Sequence, residues 1–242
     1  MKWYFFYSPN YHFYKNHLVK SLSNTFDVHP IEIEPLNLSK TNHHFTNLTI
    51  KIDLLISCIK ENMKKTLSND NNVNDNDYQD NYIMFTDATM YISERVDELK
   101  KYLDDKIKDE YDLVLATDRH NHVSKNIGVL LIRCNEKMLH FWENCLTIMK
   151  TKMELGENVH DQAIVNTMLN SGDYSSLKTT LFESNRVVCN NELVEELRDD
   201  FYIFKMTVRL DIVSQGHTSH KQRLYALFYA RFITEQELWE NM

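Results

Sequence analysis

The sequence is poor in the two residues that most often bend or interrupt a chain. Glycine occurs 4 times and proline 3 times in 242 residues, well below their usual shares of about 7% and 5%. This scarcity excludes a collagen-like or linker-dominated chain and disfavours a turn-rich β-sandwich. It also leaves little material for a phosphate-cradling loop, and neither a P-loop nor a G-x-G-x-x-G fingerprint is present.

Several other features are also missing from the sequence. No stretch approaches the ~18–20 apolar residues that a membrane span needs, and the aromatic run Lys2–Ser8 fits a first strand better than a signal peptide. A net charge of −8 without a basic run disfavours nucleic acid as a partner. The four cysteines form no C-x-x-C pair, so we expect reduced thiols and a cytoplasmic protein.

The remaining composition is that of a globular protein. Apolar residues make up 43% of the chain and charged residues 26%, which is ordinary for a soluble domain with one core. We therefore expect a single domain spanning residues 1–242. Residues 68–81 hold six Asn and four Asp and are predicted to form a flexible surface loop.

Hydrophobic patterning predicts strands that alternate with helices. The predicted strands are Lys2–Ser8, Val28–Ile33, Tyr82–Phe85, Asp112–Ala116, Ile127–Ile132 and Leu177–Phe182. The predicted helices are Tyr11–Phe26, Thr49–Leu67, Val96–Ile107, Lys137–Met149, Gln162–Leu169 and Ser219–Phe232. This order predicts an α/β fold with three layers and a mostly parallel central sheet. Ligands of such sheets bind at the carboxyl ends of the strands.

One carboxylate stands directly after a buried strand. Asp87 follows the apolar run Tyr82–Phe85 and Thr86, so it should be held rigidly at the rim of the sheet. A carboxylate placed there can hold a hard divalent cation, which also takes phosphate oxygens. The structural alternative, a cap on the next turn, is equally compatible with this position.

Three blocks carry a resemblance to a known family. The segments are Phe85-Thr86-Asp87-Ala88-Thr89, Asn126-Ile127-Gly128-Val129-Leu130-Leu131-Ile132 and His160-Asp161-Gln162-Ala163-Ile164. In order and spacing they resemble the D-x-D region, the N-x-G strand and the D-Q helix start of GT-A glycosyltransferases. The resemblance covers residues 2–169 and extends to nucleotide-diphospho-sugar transferases encoded by large DNA viruses, which would place the protein in the host cytoplasm.

The resemblance implies a metal site that contains an unusual residue. Asp87 and Thr89 would occupy the two acidic positions of the D-x-D, and a hydroxyl is a poorer ligand than a carboxylate for Mn²⁺ or Mg²⁺. The segment Gln215–Lys221 resembles the H-x-x-G-x-x-K region of retaining members. By that likeness His217 would complete the metal site and Lys221 would bind the phosphates, although the spacing departs from the family pattern.

The resemblance also implies roles around the donor. Tyr7 and Ser8 would frame the nucleotide, although Tyr7 also fits a core aromatic. Asn126 would bind the donor sugar, and Asp161 with Gln162 would grip its hydroxyl groups beside the anomeric carbon. As a structural alternative, Asp161 would stabilise a helix N-terminus.

Two further residues complete the implied site. Lys51, at the start of the helix before the Asn/Asp-rich loop, would bind the donor phosphates. Gly128 would allow a close approach of backbone within its strand. Residues 183–242 would form a C-terminal segment that closes the site.

The resemblance implies a glycosyltransferase that moves a sugar, with the help of the metal, from a nucleotide-diphosphate donor, a UDP-sugar in particular, to a glycan or protein acceptor. The segment Gln215–Lys221 favours retention of configuration, whereas an inverting enzyme would need a carboxylate base such as Asp118. Because Thr89 departs from the family pattern, the alternative is an inactive protein of the same fold that binds nucleotide sugars or glycans.

Overall fold

The computed structural model describes residues 1–33, 40–68, 81–118, 124–157, 159–190, 201–206 and 234–241. Its strands are β1 (Lys2–Tyr7), β2 (Asp27–Glu32), β3 (Tyr82–Asp87), β4 (Met90–Ile92), β5 (Leu113–Thr117), β6 (Lys125–Arg133), β7 (Thr179–Leu181), β8 (Val187–Asn190) and β9 (Ile203–Met206). Its α-helices are α1 (His12–Leu22), α2 (Lys40–Ser68), α3 (Val96–Lys108), α4 (Glu136–Glu154), α5 (Asp161–Asn170) and α6 (Glu235–Asn241). A short 3-10 helix, Pro9–Tyr11, follows β1.

The main sheet has six strands in the order β2-β1-β3-β6-β5-β7. β1 is parallel to both β2 and β3, and β5 is parallel to β7. β6 runs antiparallel to both of its neighbours. The carboxyl ends of β1 and β3 therefore meet the beginning of β6 at one edge of the sheet.

Alternating side chains of the strands pack against different layers. Ile83 and Phe85 of β3 belong to one hydrophobic cluster, which also contains residues of α2, α4 and α5. Tyr82 and Met84 of the same strand belong to a second cluster, with residues of α1 and α3. Because β-strand side chains alternate between faces, the sheet is covered on both sides. The predicted three-layer α/β architecture with a mostly parallel sheet is confirmed.

A second, smaller sheet has the order β4-β9-β8. β4 follows β3 after only two residues, and it pairs antiparallel with β9, which lies far along the chain. β8 and β9 belong to the predicted C-terminal segment 183–242. This sheet attaches part of that segment next to the end of β3 through a strand pairing that was not predicted from the sequence.

Most element boundaries differ from the predicted ones by a few residues. The largest difference is at α2, which begins at Lys40 instead of Thr49. The predicted helix Ser219–Phe232 and nearly all of the predicted loop 68–81 lie outside the described residues. The single domain 1–242 stays a prediction.

The four cysteines are buried and unpaired. Burial raises the pKa of each thiol to about 12, so they stay protonated at neutral pH. Among the described helices, none combines the length and the apolar character needed to cross a membrane.

Candidate active site

Asp87 is the last residue of β3 and lies at the sheet edge where the strand ends meet. In the register of β1 and β3 it stands opposite Phe6. The preceding residue, Thr86, stands opposite Val129 of β6. The predicted rim position of Asp87 is therefore confirmed, and its side chain is 24% exposed.

The carboxylate of Asp87 lies between two lysine ammonium groups. Lys51 Nζ is 3.0 Å from Oδ1, and Lys205 Nζ is 2.8 Å from Oδ2. The side chains of the two lysines are only 6% and 10% exposed. Each oxygen of the carboxylate therefore has its own positive partner.

Lys51 connects Asp87 to a second carboxylate. Its Nζ lies 3.6 Å from Oδ2 of Asp161, the first residue of α5. Lys205, Asp87, Lys51 and Asp161 thus form a row of alternating charges, which we call the charged cluster. Three elements of the main fold and one strand of the small sheet contribute to it.

Lys51, a predicted phosphate ligand, contacts Asp87 at the sheet edge, but its predicted place in the helix was wrong. It was expected to open its helix, whereas α2 begins at Lys40. Lys51 therefore lies within the helix and is buried, as are Ile52 and Leu55 of the same helix. A helix interior restrains this side chain more firmly than a fraying helix end would.

Lys205 is the residue that sequence analysis missed. It belongs to β9, where it stands opposite Met90 of β4 and Cys189 of β8. The available signal was a single lysine within the apolar run Phe201–Met206, since a cation in a buried strand must find a partner. Nothing in the local sequence indicated that the partner would be Asp87.

Asn126 and Gly128 place Lys205. The Oδ1 atom of Asn126 accepts hydrogen bonds from Lys205 Nζ at 2.9 Å and from the backbone N–H of Gly128 at 2.9 Å. The pairing of β5 with β6 shifts register here, between Leu115 and Ala116. Such irregularities are common beside active sites because they redirect side chains.

Gly128 is needed for the space that it leaves. A Cβ atom at this position would lie 1.8 Å from Lys205 Nζ and 2.6 Å from Oδ2 of Asp87. The predicted close approach at Gly128 is present, but it is made by a lysine side chain and not by backbone as expected.

Gly128→Ala is expected to displace Lys205, because the new Cβ atom and the Lys205 ammonium group cannot occupy the same space. We expect a loss of roughly 1–3 kcal/mol of stability together with weaker nucleotide binding, measured by thermal melting and calorimetry with UDP. The control is Gly172→Ala, which strains a backbone at φ 86° without meeting any atom within 4 Å. Equal UDP affinity of the two variants would contradict the role given to Gly128.

The charged cluster keeps Asp87 and Lys51 ionised. Burial alone would raise the pKa of Asp87, but Lys205 and Lys51 outweigh it and hold that pKa well below its usual range. Burial alone would lower the pKa of Lys51, but Asp87 and Asp161 outweigh it and raise that pKa. At neutral pH these two residues therefore carry full and opposite charges.

The described residues do not fit the predicted Mn²⁺ or Mg²⁺ site. Both oxygens of Asp87, the predicted main ligand, contact ammonium groups. At 4 Å and an effective dielectric constant of 20, two unit charges interact by about 4 kcal/mol, so each ammonium would repel a divalent cation by about twice that. Within the described ranges, no group of three or more His, Cys, Asp or Glu side chains could hold a metal.

Of the other predicted metal ligands, only Thr89 lies within the described part of the chain. Thr89 is nearly buried, at 9% exposure, between β3 and β4. His217 and the predicted phosphate ligand Lys221 lie outside the described residues. A metal bound at Asp87 by all of these residues stays a prediction.

Asp161 and Gln162 begin α5 as predicted, with His160 at the N-cap position. Oδ1 of Asp161 accepts a hydrogen bond of 2.8 Å from the backbone N–H of Gln162, while Oδ2 faces Lys51. The structural and the functional interpretations of Asp161 are therefore compatible. Gln162 Nε2 donates, at 3.4 Å in each case, to Oδ2 of Asp118 and to Oγ of Ser124, which brings Asp118 close to the start of α5.

Tyr7 and Ser8 lie just beyond the last residues of β1 that pair with β3, at the same edge as Asp87. The Tyr7 hydroxyl donates to Oε2 of Glu32 at 2.8 Å, and the Tyr7 side chain is mostly buried. Ser8 precedes the 3-10 helix Pro9–Tyr11 and accepts a backbone hydrogen bond from Tyr11. Both alternatives for Tyr7, core aromatic and wall of a nucleotide site, agree with this position.

Comparison with known proteins gives matches among solved structures only. No protein-family model matches the chain, and no curated protein matches it. A glycosyltransferase involved in the glycosylation of the major capsid of PBCV-1 aligns with a TM-score of 0.57 and 11% identity, over 89% of this chain and 98% of its own. A glycosyltransferase of Streptococcus pneumoniae TIGR4 aligns with a TM-score of 0.51 and 14% identity, over 99% of this chain.

The alignment with the pneumococcal protein covers 62% of that protein, so this chain spans less than two thirds of its length. At 11% and 14% identity the similarity concerns the arrangement of strands and helices, and function must be argued from the site. The chain has the fold of glycosyltransferases, as the three sequence blocks predicted.

Proposed function

We propose that the protein is a glycosyltransferase that uses a nucleotide-diphosphate sugar, with a UDP-sugar as the first candidate donor. The observation that carries the proposal is the charged cluster at the edge where β1 and β3 end. Open α/β sheets bind ligands at this edge. Here it offers ammonium groups for phosphate and a carboxylate for sugar hydroxyls.

The reaction breaks one bond and forms one. The bond between the anomeric carbon and the oxygen of the β-phosphate breaks, and its electron pair stays on the leaving diphosphate. An acceptor hydroxyl oxygen forms the new bond to the anomeric carbon, and its proton passes to the leaving diphosphate in a retaining reaction or to a base such as Asp118 in an inverting one. The barrier falls when positive groups are already placed where the phosphate charge develops.

Lys51 and Lys205 are suited to receive that charge. Each is nearly buried and held by fixed partners, so little reorganisation is needed when a diphosphate arrives. Charge-assisted hydrogen bonds from ammonium to phosphate are about twice as strong as neutral ones. Within the proposal these two residues bind the phosphates.

Asp161 is suited to the sugar side of the reaction. It lies beyond Lys51 in the charged cluster, and its carboxylate can accept from sugar hydroxyls and stabilise positive charge that develops at the anomeric carbon. Gln162 and Asn126 are assigned to the same sugar, and Tyr7 and Ser8 to the nucleotide. No step of the reaction is assigned to Mn²⁺ or Mg²⁺, because the described residues do not fit a site for either ion.

The proposal also covers the acceptor and the stereochemistry of the reaction. The acceptor is a hydroxyl of a glycan or of a protein, in keeping with the capsid glycosylation named for the PBCV-1 protein. Retention is proposed from the likeness of the segment that contains His217 and Lys221. For inversion, Asp118 is the base to test, since it lies beside Gln162 at the site.

The test is the release of free nucleotide from UDP-, GDP- and dTDP-sugars, with and without Mn²⁺, after a thermal-shift screen selects the donor. We expect one donor to raise the melting temperature and to release its nucleoside diphosphate. Stabilisation without release, with or without candidate acceptors, would favour the alternative of a non-catalytic binding protein. If none of the donors stabilises the protein and none releases its nucleotide, the proposal is contradicted.

A further inference from the structure

Lys205 places a fixed positive charge beside the carboxylate that was expected to hold a metal. It is carried on β9, in the small sheet, and its Nζ lies 2.8 Å from Oδ2 of Asp87. Asn126 binds the same ammonium at 2.9 Å. A buried lysine with two directional partners has a defined position rather than a range of rotamers.

This position conflicts with metal coordination at the same oxygen. A Mg²⁺ ion binds carboxylate oxygens at about 2.0–2.1 Å and requires near-octahedral surroundings. The ammonium of Lys205 already lies on Oδ2 of Asp87, and that of Lys51 lies on Oδ1. A cation at either oxygen would lie beside a buried ammonium group that repels it.

The same ammonium can still bind an anion. A lysine ammonium has three N–H donors, and Lys205 directs two of them to described partners, Asp87 and Asn126. Asp87 is itself partly exposed, so a ligand can reach the charged cluster from the sheet edge. A phosphate oxygen can take the third donor without breaking the other two contacts.

We propose that Lys205 supplies the positive charge that a divalent cation would supply at Asp87, so that the nucleotide diphosphate binds and leaves without a metal ion. The proposal rests on the proposed glycosyltransferase function. Asp87 then stabilises the two buried ammonium groups of Lys51 and Lys205, which bind the phosphates. Gly128 leaves the space that the Lys205 ammonium group occupies beside Asp87.

The proposal has a consequence for charge. With all four groups ionised, the charged cluster has two positive and two negative members and no net charge. Binding of a diphosphate then depends on directed N–H groups, and not on an excess of positive charge. Because no metal ion takes part in the proposed binding, nucleotide affinity should be insensitive to chelators.

The experiment is calorimetry with UDP, in EDTA and in MnCl₂, on the wild-type protein and on two variants. Lys205→Met removes the proposed ammonium. Lys106→Met is the matched control, since Lys106 is 15% exposed and pairs with Glu183 at 2.8 Å in another part of the chain. Melting curves establish that each variant is folded.

We expect the wild-type Kd for UDP to agree within about twofold in EDTA and in MnCl₂, and Lys205→Met to weaken binding in EDTA by about tenfold or more while Lys106→Met does not. Wild-type binding that requires Mn²⁺ would overturn the inference and leave the proposed function standing. An equal loss in both variants, or none in Lys205→Met, would also overturn it. Absence of binding by UDP, GDP and dTDP in both buffers would overturn the proposed function itself.

Discussion

Asp87→Asn is expected to lower the melting temperature by roughly 5–10 °C and to leave UDP binding in EDTA intact or tighter. The loss of stability follows because Lys51 and Lys205 would remain buried without their shared negative partner. Removing one member of a buried ion pair costs about 3–5 kcal/mol, less here because Asp87 is 24% exposed. For a chain of this size each kcal/mol shifts the melting temperature by about 2–4 °C.

The affinity should not fall because the two ammonium groups that would bind phosphate are retained. Without the competing carboxylate, the net charge of the site rises by one unit, which favours an anion. Differential scanning fluorimetry and calorimetry with UDP in EDTA measure the two effects. The control is Asp173→Asn, at an exposed position. If Asp87 were a metal ligand, the variant would lose metal-dependent UDP binding and keep its stability.

Asp161→Asn is expected to lower the turnover number by about 10²–10³-fold, with a change in melting temperature of less than about 3 °C. An asparagine Oδ1 can still accept the hydrogen bond from the N–H of Gln162 that Asp161 accepts at 2.8 Å. The helix loses a charge at its first residue, worth about 0.3–1 kcal/mol, and Lys51 loses the more distant of its two carboxylate partners, at 3.6 Å, but keeps Asp87. What disappears is the negative charge beside the developing positive centre, and losses of one such group are of this size.

Three measurements test whether Asp161 is catalytic or structural. They are the turnover number with the cognate donor, the affinity for UDP and the melting temperature. The nucleotide affinity should hold because Lys51 retains Asp87 as its nearer partner, at 3.0 Å. Wild-type turnover in the variant would remove Asp161 from the catalytic residues. A melting temperature lower by many degrees would favour a purely structural role at the start of α5.

The parts of this fold that sequence could predict are those with local causes. The run Tyr82–Phe85 is too short for a helix and too apolar for a loop, so a central strand and a carboxylate at its end could be inferred. The apolar stripe from Ile52 to Met63 marked α2 in the same way. The first turns of α2, from Lys40, carry few apolar residues, so periodicity gave no sign of them.

The parts that sequence could not predict depend on contacts between distant residues. Lys205 and Asn126 are 79 residues apart in the chain, and neither has a neighbour in sequence that points to the other. Gly128 was recognised as unusual, but the reason was not visible until Lys205 lay against it. The expected metal at Asp87 came from a pattern of residue types, which does not reveal that two lysines reach the same carboxylate.

The origin of Lys205 in β9 has a consequence for biosynthesis. On the ribosome, β1, β3 and β6 emerge well before β9, so a nascent chain can form most of the main sheet while Asp87 has only Lys51 as a partner. Contacts between residues far apart in sequence form slowly because a long loop must close first. The ion pair between Asp87 and Lys205 would then be among the last contacts to form. The proposed nucleotide site would be complete only after β9, with Lys205, has been synthesised.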